Sequence, residues 1–130
     1  MAKGGNLVLN AGGMPNGKLP SPALTRMKAI GAWLKTFGDA IYSTKPKFPY
    51  FVGNIGLTHA EDRVYAIRMV NENERIREMN FPHADPVKSV TMLGRGCPLR
   101  YIHHNDMLCV EIPELNQDEQ IAFAIAINPV

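Results

Sequence analysis

Cysteine is scarce: Cys97 and Cys109 are the only two in 130 residues, too few for a disulfide scaffold. Long apolar runs are missing as well. None approaches the ~18 residues that a membrane span needs, so no membrane partner is expected. Nor does charge of one sign dominate, with 14 Lys+Arg against 12 Asp+Glu. Lys28, Lys35, Lys45 and Lys47 are scattered over a helical stretch and the loop after it rather than gathered in a stripe. Nucleic acid is therefore not an expected partner. The opening MAKGGN is too short and polar for a signal peptide, and the compartment stays open. What is present is a 45% hydrophobic chain of a length suited to one domain with a real core.

Residues 1–44 read as strand, loop and helix. Asn6 to Asn10 carries the continuous apolar run Leu7-Val8-Leu9, the pattern of a strand buried on both faces of a parallel sheet. Gly12, Gly13, Pro15, Asn16, Gly17 and Pro20 make a loop. Ser21 suits the N-cap, with Pro22 at the first helical position. Leu24, Met27, Ile30, Leu34 and Phe37, or nearby Trp33, recur at helical spacing. Gly38 suits a left-handed C-terminal cap.

The texture changes after Thr44. Residues 45–50, with Lys45-Pro46-Lys47-Phe48-Pro49, read as a linker without regular structure. Residues 51–130 show short strands broken by turns: Phe51 to Thr58 and Arg63 to Val70 around His59-Ala60-Glu61-Asp62, then Ile76 to Phe81 and Val87 to Leu93. Leu99 to His104 and Met107 to Ile112 flank a tight Asn105-Asp106 turn, and Glu119 to Ile127 puts Ile121, Phe123, Ile125 and Ile127 on one face. The expected fold is mainly β, an antiparallel sandwich preceded by one strand-loop-helix unit. That unit is unbalanced, because a buried parallel strand needs parallel neighbours.

The candidate chemistry is thin. Gly12, Gly17 and Lys18 have the spacing of a phosphate loop. However, Leu19 replaces the hydroxyl that would hold magnesium, and Pro15 removes a backbone N–H. His103, His104, Asp106 and Cys109 are metal-ligand types, but adjacent strand residues point to opposite faces; His59 and His83 stand alone. If Asn105-Asp106 is a two-residue turn, His104 faces Met107 and Ile102 faces Cys109, a register that leaves Cys97 unbridged. Neither cysteine has an evident base. Glycoside hydrolysis needs two carboxylates across a cleft. Asp39, Glu61, Asp62, Glu72, Glu74, Glu78, Glu111, Glu114, Asp118 and Glu119 all sit where solvating charges usually do. The residues alone yield no catalytic, cofactor-binding or metal-binding site.

One stretch is more specific. GGNLVLNAGGMPNGKLPSPALTRMKAIGAWLKTFGDAIYST resembles the α-L-fucosidases of glycoside hydrolase family 29, whose pattern runs GGNLLLNxGPxxDGxIP and then xxLxxIGxWLxxNGEAIYGT. Gly4-Gly5-Asn6-Leu7, Leu9-Asn10, Gly12, Gly17 and Pro20 match the first half. Ile30-Gly31, Trp33-Leu34-Lys35, Gly38, Ala40-Ile41-Tyr42 and Thr44 match the second. Gly13, Asn16, Phe37, Asp39 and Ser43 depart from it. Val64 to Val70 is similar to the family's VYAI strand, and Val87 to Pro113 to its VxxVTLLGSGxPLxWxxxxxxLxVxLP stretch, with Met92, Arg95, Cys97 and Tyr101 as substitutions.

The resemblance implies the last strand and helix of a catalytic α/β barrel, a linker at 45–50, and a C-terminal β-sandwich from residue 51. Such enzymes retain configuration, using an aspartate nucleophile and a glutamate acid/base in the barrel. As aligned, both precede Gly4, so none can be carried onto a residue here. The chain is therefore expected to be a piece of such an enzyme, structural rather than catalytic alone, and to need no cofactor. Its partners would be a fucosylated glycan in the whole enzyme, and the missing barrel or a second copy at the N-terminal strand. The alternative is a carbohydrate-binding or helper module, with Tyr50, Phe51 or Tyr101 stacking on sugar rings.

Overall fold

A computed structural model of the chain describes residues 1–61 and 63–130, without the side chain of Asp118. A helix, α1 (Ser21–Phe37), precedes eight strands: β1 (Lys45–Val52), β2 (Ile55–Ala60), β3 (Arg63–Met69), β4 (Glu78–Pro82), β5 (Val87–Met92), β6 (Tyr101–His104), β7 (Met107–Glu111) and β8 (Ala122–Pro129). They form a five-stranded sheet ordered β1-β2-β3-β8-β5 and a three-stranded sheet ordered β4-β7-β6. All paired neighbours are antiparallel. The expected mainly β sandwich is the fold.

Both sheets contribute to one core. Leu57, Ala66, Val90, Phe123, Ile125 and Ile127 from the larger sheet join Met79, Phe81, Leu108 and Val110 from the smaller. Burying a side chain of this kind contributes about 1.5–3 kcal/mol. In β8 the alanines between the large residues are buried too, so this strand is covered on both faces rather than one. It starts at Ala122; Ile121 lies before it and is exposed, and Gln117–Gln120 is a short 3-10 turn. Tyr101 ties the sheets together, its hydroxyl donating to the Val87 carbonyl at 3.1 Å.

The β6–β7 hairpin has the expected register, His104 opposite Met107 and Ile102 opposite Cys109. Asn105 and Asp106 both have positive φ, the geometry of a two-residue hairpin turn. The run from Phe51 to Thr58 is not one strand, since a turn with Gly53 at φ 56° divides it between β1 and β2. Glu61 has φ 52° in the next turn, where Asp62 lies outside the described residues.

Further expectations are corrected. Asn6 to Asn10 is not a strand. Leu7 and Val8 are 84% and 88% exposed, because among the described residues no strand flanks them to accept and donate the ladder bonds. Residues 45–50 are not an irregular linker but most of β1. Its prolines are tolerated because β1 is an edge strand, where an absent N–H breaks no inner ladder. The register jumps between Pro46↔Thr58 and Phe51↔Gly56, so Lys47 to Tyr50 bulge opposite Leu57 alone.

Ser21 is the first helical residue rather than the cap; Pro20 occupies the cap position without a side-chain bond. Gly38 is right-handed, at φ −59° and ψ −28°, and leads into a 3-10 turn, Gly38–Ala40. Its glycine is a matter of space: a Cβ there would lie 2.9 Å from Tyr42 Cε2.

Only the end of α1 is packed. Phe37 is buried, Trp33 lies against it with ring centroids 5.2 Å apart, and Trp33 Nε1–H donates to the Ala122 carbonyl at 2.8 Å. The Thr58 hydroxyl donates to the Ala40 carbonyl at 2.8 Å, fastening the following turn to β2. Leu24 and Ile30, earlier on the helix, remain exposed.

Candidate functional site

The glycine loop spends its amides on itself. Gly17 N–H donates to the Met14 carbonyl at 2.9 Å, Met14 N–H to the Lys18 carbonyl at 2.8 Å, and Lys18 N–H to Asn16 Oδ1 at 3.0 Å. A phosphate cradle needs such N–H groups free and convergent at a helix N-terminus.

The histidines are arranged differently from their spacing in sequence. The pairing of β4 with β7 and β7 with β6 brings His83, just after β4, to His103 on β6. Their ring centroids are 5.9 Å apart, and His103 Nε2 lies 2.6 Å from the His83 carbonyl oxygen. His83 is buried, which pushes its pKa below the usual 6.5; the Asp85 carboxylate opposes this, while the His103 and Lys47 charges add to it. His104 is exposed. Among the described residues no three His, Cys, Asp or Glu gather as metal ligands would. Cys97 and Cys109 are free thiols. Burial, then the charges of Glu78 and Glu111, push the Cys109 pKa up, away from the thiolate that nucleophilic attack needs.

Among the described residues three carboxylates are bound in ion pairs. Lys47 Nζ meets Asp85 at 2.8 Å, and Arg68 meets Glu74 at 2.5 Å while Asn71 N–H donates to the other Glu74 oxygen at 2.9 Å. Glu119 is the surprise. Expected on the surface, it is 2% exposed and receives both Arg95 Nε, at 2.8 Å, and an Arg95 terminal nitrogen. It also closes a capping box with Asn116. Burial pushes its carboxyl up, but the bonds from Arg95 and Asn116 and the Arg95 charge outweigh that and hold it below the usual value. Its partner Arg95, a cation in the turn after β5 where the family pattern has serine, is the one sequence signal that could have found it.

Glu74 and Glu114 share an open cleft of about 780 Å³ with Arg75, Arg77, Ile112 and Leu115. Both Glu74 oxygens are taken, as described above, and the Glu114 carbonyl accepts from Arg95 at 2.8 Å. Asp39, Glu61, Glu72, Glu78 and Glu111 are exposed; Asp62 and the Asp118 side chain lie outside the described residues. What the molecule does present is apolar surface: residues 7–9 and the outer part of α1, joined to the sandwich through Trp33 and Phe37.

Known proteins match this arrangement. The α-L-fucosidase family model matches residues 1–39. An α-L-fucosidase of Branchiostoma floridae is 34% identical over 102 residues, covering 76% of this chain and 23% of that protein. The tissue α-L-fucosidase of Homo sapiens is 28% identical over 116 residues, covering 86% of this chain and 25% of its own length. The chain thus spans about a quarter of these curated relatives.

Among solved structures, α-L-fucosidase isoenzyme 1 of Paenibacillus thiaminolyticus superposes with a TM-score of 0.81 at 21% identity, over 96% of this chain and 31% of that one. A family 29 α-L-fucosidase of Bacteroides thetaiotaomicron gives 0.77 at 18% identity, over 92% of this chain and 27% of that one. Related in sequence to fucosidases and folded like a part of them, the chain is a relative of the α-L-fucosidases of glycoside hydrolase family 29, corresponding to their C-terminal part with its β-sandwich.

Proposed function

We propose that the chain does the structural, non-catalytic work of an α-L-fucosidase-like glycoside hydrolase. In this reading residues 1–44 complete a catalytic barrel, and the sandwich braces it from outside. The observation that carries the reading is the solvent exposure of Leu7, Val8 and Leu9 beside a helix, α1, that is packed at one end only. An apolar run of that kind stays in water only when its usual neighbours are absent. A barrel contributed by another chain, or by further sequence, would supply both strand partners and cover for Leu24 and Ile30.

The chemistry points the same way. Retaining hydrolysis of an α-L-fucoside needs a nucleophile and an acid roughly 5–5.5 Å apart across the scissile bond. Glu74 and Glu119 are committed to arginines, and Asp85 to Lys47. The chain's own part is to orient and stabilise the barrel end through the Trp33–Ala122 and Thr58–Ala40 bonds.

An aryl α-L-fucoside assay tests this. The purified chain alone should release no more phenol than a buffer blank. Release that survives repurification and scales with chain concentration would overturn the reading.

A further inference from the structure

We propose that the bulged edge strand β1 carries a saccharide-binding site selective for sugars bearing a sulfate or carboxylate group. Lys3, Lys45, Pro46, Tyr50 and His59 line an open cavity of about 620 Å³ there. Three of these five side chains can carry positive charge, and none is a carboxylate. Lys45 and His59 are cross-strand partners, so their side chains leave the sheet together. The Lys3 ammonium lies 5.1 Å from the centre of the Phe51 ring, which holds it at the cavity. Among the described residues neither Lys3 nor Lys45 is in an ion pair, whereas Lys47 is held by Asp85.

The apolar half of the site is aromatic. Tyr50 is 48% exposed and Phe48 76%, with the two rings edge to face at 5.7 Å. Tyr50 has φ 71°, a left-handed conformation that bulky residues rarely adopt. Backbone strain of this kind gathers at ligand sites. A sugar ring can lay its C–H face on Tyr50 while its anionic group meets the lysines in charge-assisted hydrogen bonds. One recess beside one aromatic pair, in a chain of net charge +2, suits one or two sugar rings better than a nucleic-acid track. Apart from Lys3, the site lies on the sandwich, and it uses neither Leu7 to Leu9 nor the exposed face of α1.

Calorimetric titration of the full chain with dextran, dextran sulfate and polygalacturonate tests the proposal. Dextran sulfate or polygalacturonate should bind at least about tenfold more tightly than neutral dextran, and binding of one alone identifies the anion. Tyr50→Ala and Lys45→Ala should each weaken binding at least about fivefold, while a Lys28→Ala/Lys35→Ala variant, altered on α1, should match the parent. Tyr50→Gly relieves the strained φ, so lost binding with an undiminished melting temperature assigns the effect to the ring rather than the fold. Four results would overturn the proposal: no binding of either acidic polymer, equal binding of neutral dextran, an equal loss in the α1 variant, or tighter binding of single-stranded oligothymidylate.

Discussion

At the scale of single residues, Glu119 shows how a carboxylate in a polar connection becomes structural. Its side chain closes the Asn116 capping box and meets Arg95 across 24 residues of sequence. Its folded pKa lies below the ordinary value of 4.5. The native state therefore binds fewer protons than the unfolded chain below that value. The resulting stability is fully present above pH 4.5 and is lost as pH falls through the lower folded pKa. Glu119→Gln, which keeps the shape and removes the charge, should cost about 1–2 kcal/mol at pH 7 by urea denaturation. The gap to the parent should close as the pH is taken below the folded pKa; a gap independent of pH would count against the ion pair. None of this was visible in spacing, since Arg95 and Glu119 belong to different turns and meet only when β5 pairs with β8. Local registers were more legible. Asn105-Asp106 set the β6–β7 pairing two residues at a time, because tight hairpin turns fix the register.

Among the elements, α1 is legible almost whole from its 3.6-residue period, and only its caps depart from the local pattern. Gly38 suggested a left-handed cap, but the helix tightens there instead because the following turn is tied to β2 through Thr58. The prolines near Phe48 suggested a linker, yet an edge strand with a bulge accommodates them. In both cases a tertiary neighbour decided what local propensity had left open.

The seam between α1 and the sandwich depends on Gly94, the turn glycine after β5. Its φ is +81°, and a Cβ on it would lie 2.4 Å from Thr36 Cγ2. Gly94→Ala should destabilise the chain by about 1–3 kcal/mol. Adding Thr36→Ala should recover part of that loss, since Thr36 Cβ stands 3.9 Å away, and the remainder belongs to backbone strain. A Gly94→Ala chain as stable as the parent by thermal melting would show that the seam is loose.

For the whole molecule, the sandwich and the N-terminal segment differ in burial: the segment adds Phe37 and Ala40 to the shared core, and most of the rest of it stays exposed. Two sheets close one core, while Leu7, Val8 and Leu9 find no ladder and α1 is anchored at one end only. The apolar run at residues 7–9 reads as a buried strand, and it is exposed because no strand among the described residues flanks it. Hydrogen exchange followed by mass spectrometry on the dilute monomer tests this most directly. The account predicts that the amides of residues 6–10 exchange at nearly the rate of an unstructured peptide, while those of β3 and β8 are protected to the limit set by global unfolding. Protection of residues 6–10 equal to that of β3 and β8 in the lone monomer would contradict it.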